Sequence, residues 1–157
     1  MKLIIPVIFL AIVVYVGWPY VNLFRLDRAL MSNDQQVLIK LVDLDAVKAK
    51  RKEHIEQQLS RGVQPGGMVS GLVQEGARWM GAATVDSVVT MEWVREKLRW
   101  HKDPRSDVYP SIITDTTYAF FESPTRFIIR IGELGLNPVH LRMVFEDWYW
   151  RITEIYD

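Results

Sequence analysis

Three arginines close to the C-terminus are the side chains best placed for chemistry. Arg130, Arg142 and Arg151 each lie inside a short alternating run, flanked by Tyr118, His140 and Tyr149. A guanidinium offers a planar fork of N–H donors that matches carboxylate or phosphate, so arginines gathered on one surface would select an anion. The simpler alternative is neutralisation by Glu122, Glu133 or Glu154, with the arginine stems lying over apolar neighbours. A deep pocket with Tyr118 at its mouth would favour the anion site. Arginines paired to Glu122 or Glu154 would favour an interaction module instead.

A second cationic candidate is the run Lys48, Lys50, Arg51 and Lys52 on a polar helical stretch. It reads as a solvated face, or as a contact with anionic lipid headgroups. Other chemistries find little support. The chain has no cysteine, which removes disulfides, thiolate metal sites and cysteine nucleophiles. His54, His101 and His140 fall in three separate stretches without metal-ligand spacing. No serine occupies a GxSxG elbow. The glycine-rich segment at residues 62–71 lacks the lysine and the preceding strand of a phosphate loop. Asp43 and Asp45, like Asp103 and Asp107, read as caps and loop residues, since nothing places two acids in one pocket. The expectation is a protein without catalytic residues, metal or cofactor.

The elements that would carry the arginines are strands. Alternation of apolar and polar residues marks a half-buried strand, and it occurs around Ala119–Phe121, Phe127–Ile131, Leu141–Phe145 and Trp148–Ile152. The breaks ESPT, GELGLNP and ED suit antiparallel connections. A loop at Ser123–Thr125 sets Phe121 opposite Phe127 and Ala119 opposite Ile129. A turn at Glu146-Asp147 sets Phe145 opposite Trp148, Met143 opposite Trp150 and Leu141 opposite Ile152. These residues then share one face, which helices must cover. Arg130, Arg142 and Arg151 form a row across the other, where like charges facing each other would cost up to ~1 kcal/mol per pair.

Upstream the chain is helical. Leu3–Val21 is uncharged, and nineteen helical residues span about 28 Å, close to the ~30 Å hydrocarbon core of a bilayer. Tyr15, Trp18 and Tyr20 cluster at its far end, where aromatic rings favour a membrane interface. A cleaved signal would need small residues at both positions before the cut, and Gly17 is preceded two residues earlier by Tyr15. The segment is therefore read as an uncleaved anchor. Lys2 on one side and Arg25 and Arg28 on the other nearly balance the positive-inside count. The short leading segment and the long domain behind it favour export of that domain, although the run at Lys48–Lys52 leans the other way.

Beyond the anchor, Phe24, Leu26, Ala29 and Leu30 continue a helix; Ser32 with Gln35 has capping-box spacing for the next. Asp43 or Asp45 caps a third helix that ends near Ser60. Met68–Ala83 carries an apolar stripe expected to pack on the aromatic sheet face, Asp86–Val89 a helical turn, and Thr90 caps a helix through Leu98. The stretch 101–116, with two prolines, reads as a connecting loop.

Several stretches together resemble the bacterial domain-of-unknown-function family 2939. They are GWPYVNLFRLDRALMSND, LVDLDAVKAK, VDSVVTMEWVREKL and the closing FIIRIG…VHLRMVFEDWYWRITEIY. One departure is Met91, where the family usually has proline after the threonine. The resemblance implies a bacterial envelope protein with an N-terminal membrane segment and supplies no catalytic residues.

The sequence thus predicts an α+β fold: an N-terminal transmembrane helix, then four or five helices on a four-stranded antiparallel meander, by analogy cystatin-like or NTF2-like. Residues 1–21 form the anchor and 22–157 a single domain, with a helical half at 22–100, a loop at 101–116 and a sheet at 117–156. At 157 residues one domain is the expectation. Nineteen basic and nineteen acidic residues cancel, which argues against nucleic acid as a partner. The expected role is a non-enzymatic module on the bacterial inner membrane, single-pass, with a periplasmic domain that binds an envelope protein or component. The alternative is an anion binder using Arg130, Arg142, Arg151, Tyr118 and Tyr149 at a helix–sheet pocket; an enzyme is the minor alternative.

Overall fold

The computed structural model describes residues 4–62, 76, 81, 83–99, 111–135 and 137–156, with the backbone alone for 59–62. The architecture is α+β, with an N-terminal apolar helix, further helices and a four-stranded antiparallel sheet. Helix α1 (Ile4–Ser32) is one unbroken element of 29 residues that runs through both the uncharged segment and the first part of the expected domain. Pro19 lies inside it and is buried. Its missing N–H leaves the carbonyl of Tyr15 without the usual donor one turn on.

Asn33, at φ 59°, ends α1 in the left-handed region that asparagine tolerates. The next helix, α2 (Gln35–Leu41), is capped by Asp34, whose carboxylate accepts from the N–H groups of Gln36 and Val37 at 3.1 and 3.2 Å. Ser32, the expected cap, instead turns back and donates to the carbonyl of Arg28 at 2.8 Å. The left-handed residue sits between them, so the new helix begins two residues later than the capping-box spacing implied. Helix α3 (Leu44–Gly62) is capped by Asp43, which accepts from Ala46 N–H at 2.9 Å. Residues 83–88 are helical. Helix α4 (Met91–Leu98) is capped by Thr90, which accepts from Trp93 N–H at 3.2 Å, and it buries Val94 and Leu98. The short α5 (Ile112–Asp115), capped by Ser111, lies in the stretch read as a loop. The helix expected over Met68–Ala83 falls almost wholly outside the described residues, as do His101, Asp103 and Asp107.

The strands β1 (Thr116–Ser123), β2 (Arg126–Ile131), β3 (Val139–Glu146) and β4 (Tyr149–Tyr156) pair in sequence order. The expected register of β1 and β2 holds: Phe121 faces Phe127 and Ala119 faces Ile129. That of β3 and β4 is displaced by two residues. Phe145 faces Trp150, Met143 faces Ile152, and Leu141 faces Ile155 after a bulge. The displacement arises because Asp147 and Trp148, not Glu146 and Asp147, form the turn, both at positive φ (49° and 67°). A shift of two preserves which face each side chain occupies, so the apolar set stays together except for Trp148, which leaves the core face for the turn.

That set is the core. Phe127, Ile129, Leu141, Met143, Trp150 and Ile152 are buried against Leu23, Leu26 and Leu30 of α1, Leu38 of α2 and Val47 of α3. Phe121, Phe127 and Trp150 meet edge to face at 5.0, 5.7 and 6.4 Å, contacts each worth about 0.5–1.5 kcal/mol beyond area burial. Among the described residues, α1 covers this face together with α2 and α3. Tyr15, Pro19, Asn22, Leu23, Leu26 and Leu30 recur every three or four residues and so lie on one side of a helix. The Tyr15 hydroxyl donates to Pro124 O at 2.5 Å, Tyr20 packs on Phe127 at 4.9 Å, and Asn22 donates to Trp150 O at 3.2 Å. Tyr15 and Tyr20 therefore serve as sheet contacts, a use the interfacial reading of this cluster did not anticipate. Further along, the buried Asp27 carboxylate accepts from Ile112 N–H at 2.7 Å, and Arg99 donates to the carbonyl of Leu30. The free edge of β4 is partly closed by a parallel bridge from Val42, where Asp43 N–H donates to Ile152 O at 2.9 Å.

Candidate functional site

The outer face of the sheet carries the three arginines, arranged differently from a single row. Tyr118, Arg130, His140 and Tyr156 form one cross-strand row. The next holds Phe120, Ile128, Arg142 and Glu154, and the one after it Arg126, Val144 and Arg151. The arginines expected to face one another thus run diagonally, one per strand and one per row. No two of the three are direct opposites, which removes the repulsion that a row would bring.

Arg142 sits at the centre and is engaged by two carboxylates. Its Nη1 donates to Glu154 Oε2, and its Nε lies 3.4 Å from Glu122 Oε2, close enough for an ion pair but without hydrogen-bond alignment. Glu154 is buried, and its other oxygen lies 3.2 Å from His54 Nε2, reaching in from α3. A buried carboxylate needs such partners, because burial strips away its water. The bulge between Arg142 and Met143 creates this placement, since it sets Glu154 opposite Arg142 while Ile155 still faces the core.

Arg130 donates from Nε to Thr117 Oγ1 at 3.1 Å, and its guanidinium stands 5.5 Å from the centre of the Tyr118 ring. Arg151 stands 6.0 Å from the Tyr149 ring. Both are cation–π geometries. The His140 ring stacks on Tyr156 at 4.9 Å, nearly parallel. Burial, helped by the positive charge of Arg130, holds the His140 imidazole below its ordinary pKa. Burial likewise raises the Tyr156 phenol. This face is a web of charge pairs and stacked rings. Among the described residues, no cluster of three His, Cys, Asp or Glu side chains could hold a metal ion.

The lysine-rich run is spread around α3. Lys50 pairs with Glu53 and Lys52 with Asp86, each at 2.7 Å, and the Arg51 guanidinium lies 5.7 Å from the Trp93 ring. The hydrogen bond from Lys52, with the positive charges of Lys52 and Lys48, holds the Asp86 carboxyl below its usual range. The helix starts beside Ile152 and brings His54 to Glu154 and Tyr156, so it runs away from the β3–β4 turn.

A different feature lies at that turn. Val7, Leu10, Ala11, Val14, Tyr15 and Trp18 of α1, with Phe145, Trp148 and Trp150, line an apolar groove of about 500 Å³. Sequence reasoning missed it, because it depends on Trp148 being a turn residue. The two-residue displacement of β4 moves Trp148 out of the ladder and beside α1.

Fold and site together define a small α+β domain assembled on the second half of a helix whose first half is exposed and apolar. Within α1, one stretch is long and apolar enough to cross a membrane. The chain belongs to the family described as protein of unknown function (DUF2939), which it matches over residues 8–96, more than half its length. The match begins within α1, ends within α4 and stops short of the sheet. No curated protein and no solved structure matches the chain.

Proposed function

We propose that the protein is a single-pass, membrane-anchored binding module of the bacterial inner membrane. It holds a non-enzymatic domain on the periplasmic side, where that domain engages an envelope protein or component. The observation that carries this reading is the division of labour within α1. Ile4 to Val14 are all exposed, although uniformly apolar, whereas Leu23, Leu26, Ala29 and Leu30 are buried against the sheet. An exposed apolar surface of that length is costly in water and suits hydrocarbon. The domain is thus mounted directly on its anchor.

The pairing of Arg142 with Glu122 and Glu154 supports an interaction surface over an anion pocket. An anion at Arg142 would have to displace two carboxylates, one of them buried. The periplasmic placement draws support from the length of the domain behind the apolar segment, since long domains translocate largely regardless of flanking charge. A reporter fused after Asp157 tests it directly. Activity of a reporter that works only outside the cytoplasm is the expected result. Activity only of a cytoplasm-restricted reporter would overturn the orientation, and release of the chain by carbonate washing would overturn the anchor.

A further inference from the structure

We infer that the β3–β4 turn is a second membrane contact: Trp148 seats in the bilayer interface, and the groove beside it takes a phospholipid acyl chain. This rests on α1 being the membrane span proposed above.

The first argument is length. Lys2 bounds the uncharged segment on one side, and Tyr15 is the first residue of that segment that hydrogen-bonds to the sheet. From Ile4 to Val14 there are about 16 Å of helix, little more than half of a ~30 Å hydrocarbon core. The span must therefore continue past Val14 into residues that have the end of the sheet beside them, which sets the membrane boundary at the level of that end. A bilayer around α1 reaches the turns at Pro124 and Trp148 before the span is complete.

The second argument is Trp148 itself. It holds φ 67° in a two-residue turn, a position where glycine or asparagine is ordinary and a bulky residue is an outlier. It is also 83% exposed. A large aromatic kept in a strained turn, with its ring mostly in water, gains little for the fold beyond an edge-on contact with Phe145 at 6.4 Å. At a headgroup boundary the same ring has an apolar body in the lipid and an N–H toward water, the arrangement that enriches tryptophan there.

The third argument is continuity. Val7, Leu10, Ala11 and Val14 form one wall of the groove and belong to the exposed face of α1, so lipid solvating the helix also enters the groove. Its volume falls in the range of small-molecule sites, about 300–1,000 Å³. The lipid class follows from the charges at the tip. Glu146 and Asp147 are acidic and exposed, so contact is made through acyl chains and not through anionic headgroups.

The absence of cysteine makes the test direct. The full chain is reconstituted in phosphatidylcholine vesicles with a single environment-sensitive fluorophore on Asp147→Cys, Val13→Cys or Leu134→Cys. Leu134 is exposed in the β2–β3 connection, at the opposite end of the sheet. The expected result is strong quenching at 147 by a nitroxide high on the lipid acyl chain, strong quenching at 13, and quenching at 134 only by aqueous iodide. Adding Trp148→Ser to the 147 label should shift it toward iodide quenching. Quenching at 13 with an aqueous 147 would overturn the second contact and leave the anchor standing. Aqueous behaviour at both would overturn anchor and contact together. Shielding of 147 from both quenchers in a dimer would assign the groove to a second copy of the chain and overturn the lipid assignment. For the groove, native mass spectrometry from mild detergent should show one bound phospholipid that Ala11→Trp removes while quenching at 13 persists. No bound lipid in the unmodified chain, or retention in that variant, would overturn its occupancy.

Discussion

The two faces of the sheet solve the problem of burial in opposite ways. The inner face is apolar throughout: Phe127, Ile129, Leu141, Met143 and Ile152 are each 0% exposed. Any apolar side chain of suitable volume satisfies its neighbours there, because the hydrophobic effect has no direction. The outer face holds Arg142, Glu122 and Glu154, met by His54 from α3, and their value depends on which atom meets which. The inner face can be specified by pattern alone, and the outer face requires geometry.

Substitutions should separate the two. The largest effect is expected on the inner side, where Trp150→Ala removes a fully buried ring from the Phe121–Phe127–Phe145 cluster and should cost about 3–5 kcal/mol. Denaturant unfolding of the full chain in detergent would measure it, and Phe9→Ala, on the exposed half of α1, should leave the midpoint unchanged. On the outer side, Arg142→Ala strands the buried Glu154. Because Arg142 is partly open to solvent, the expected loss is smaller, about 1–3 kcal/mol. Adding Glu154→Gln should recover part of it, and a double-mutant cycle that showed no coupling would place the weight of this face elsewhere.

The smallest effect is a pH dependence. The folded His140 imidazole has its pKa held below the ordinary value near 6.5, so on acidification the unfolded chain takes up the proton first. His140 therefore contributes stability that is complete above about pH 6.5 and is lost as pH falls through its lower folded pKa. His140→Phe should keep the stack on Tyr156 and flatten this acid limb, read as the difference between the two stability–pH curves. An unchanged limb would show that the imidazole is not the titrating group.

The same contrast explains what was legible in the sequence. Alternation told which side of the sheet each expected core residue other than Trp148 occupies, and that survived a two-residue error in register. The cap at Thr90 was equally legible, and that of α3 was narrowed to Asp43 or Asp45, because such bonds lie within three residues. What was not legible depends on single-residue placement. The row of arginines became a diagonal, and Glu154 gained its buried position, through a bulge that no local pattern announces. The groove beside Trp148 was hidden for the same reason. The role of Tyr15 in holding the sheet was masked by its position inside an uncharged run, where an aromatic has a ready interfacial explanation.

The shared helix also sets an order of events for the nascent chain. Asn22 bonds to Trp150, 128 positions later, and Tyr15 to Pro124, 109 later. The buried side of α1 is synthesised early and finds its partner strands only when the last forty residues emerge. Contacts of such wide separation carry a heavy loop-closure cost and slow the search for the native state. Until β4 arrives, Leu23, Leu26 and Leu30 have only an incomplete sheet to cover, so the final strand acts as a clasp. Interrupting it should leave the whole assembly unformed, with no stable helical half left behind.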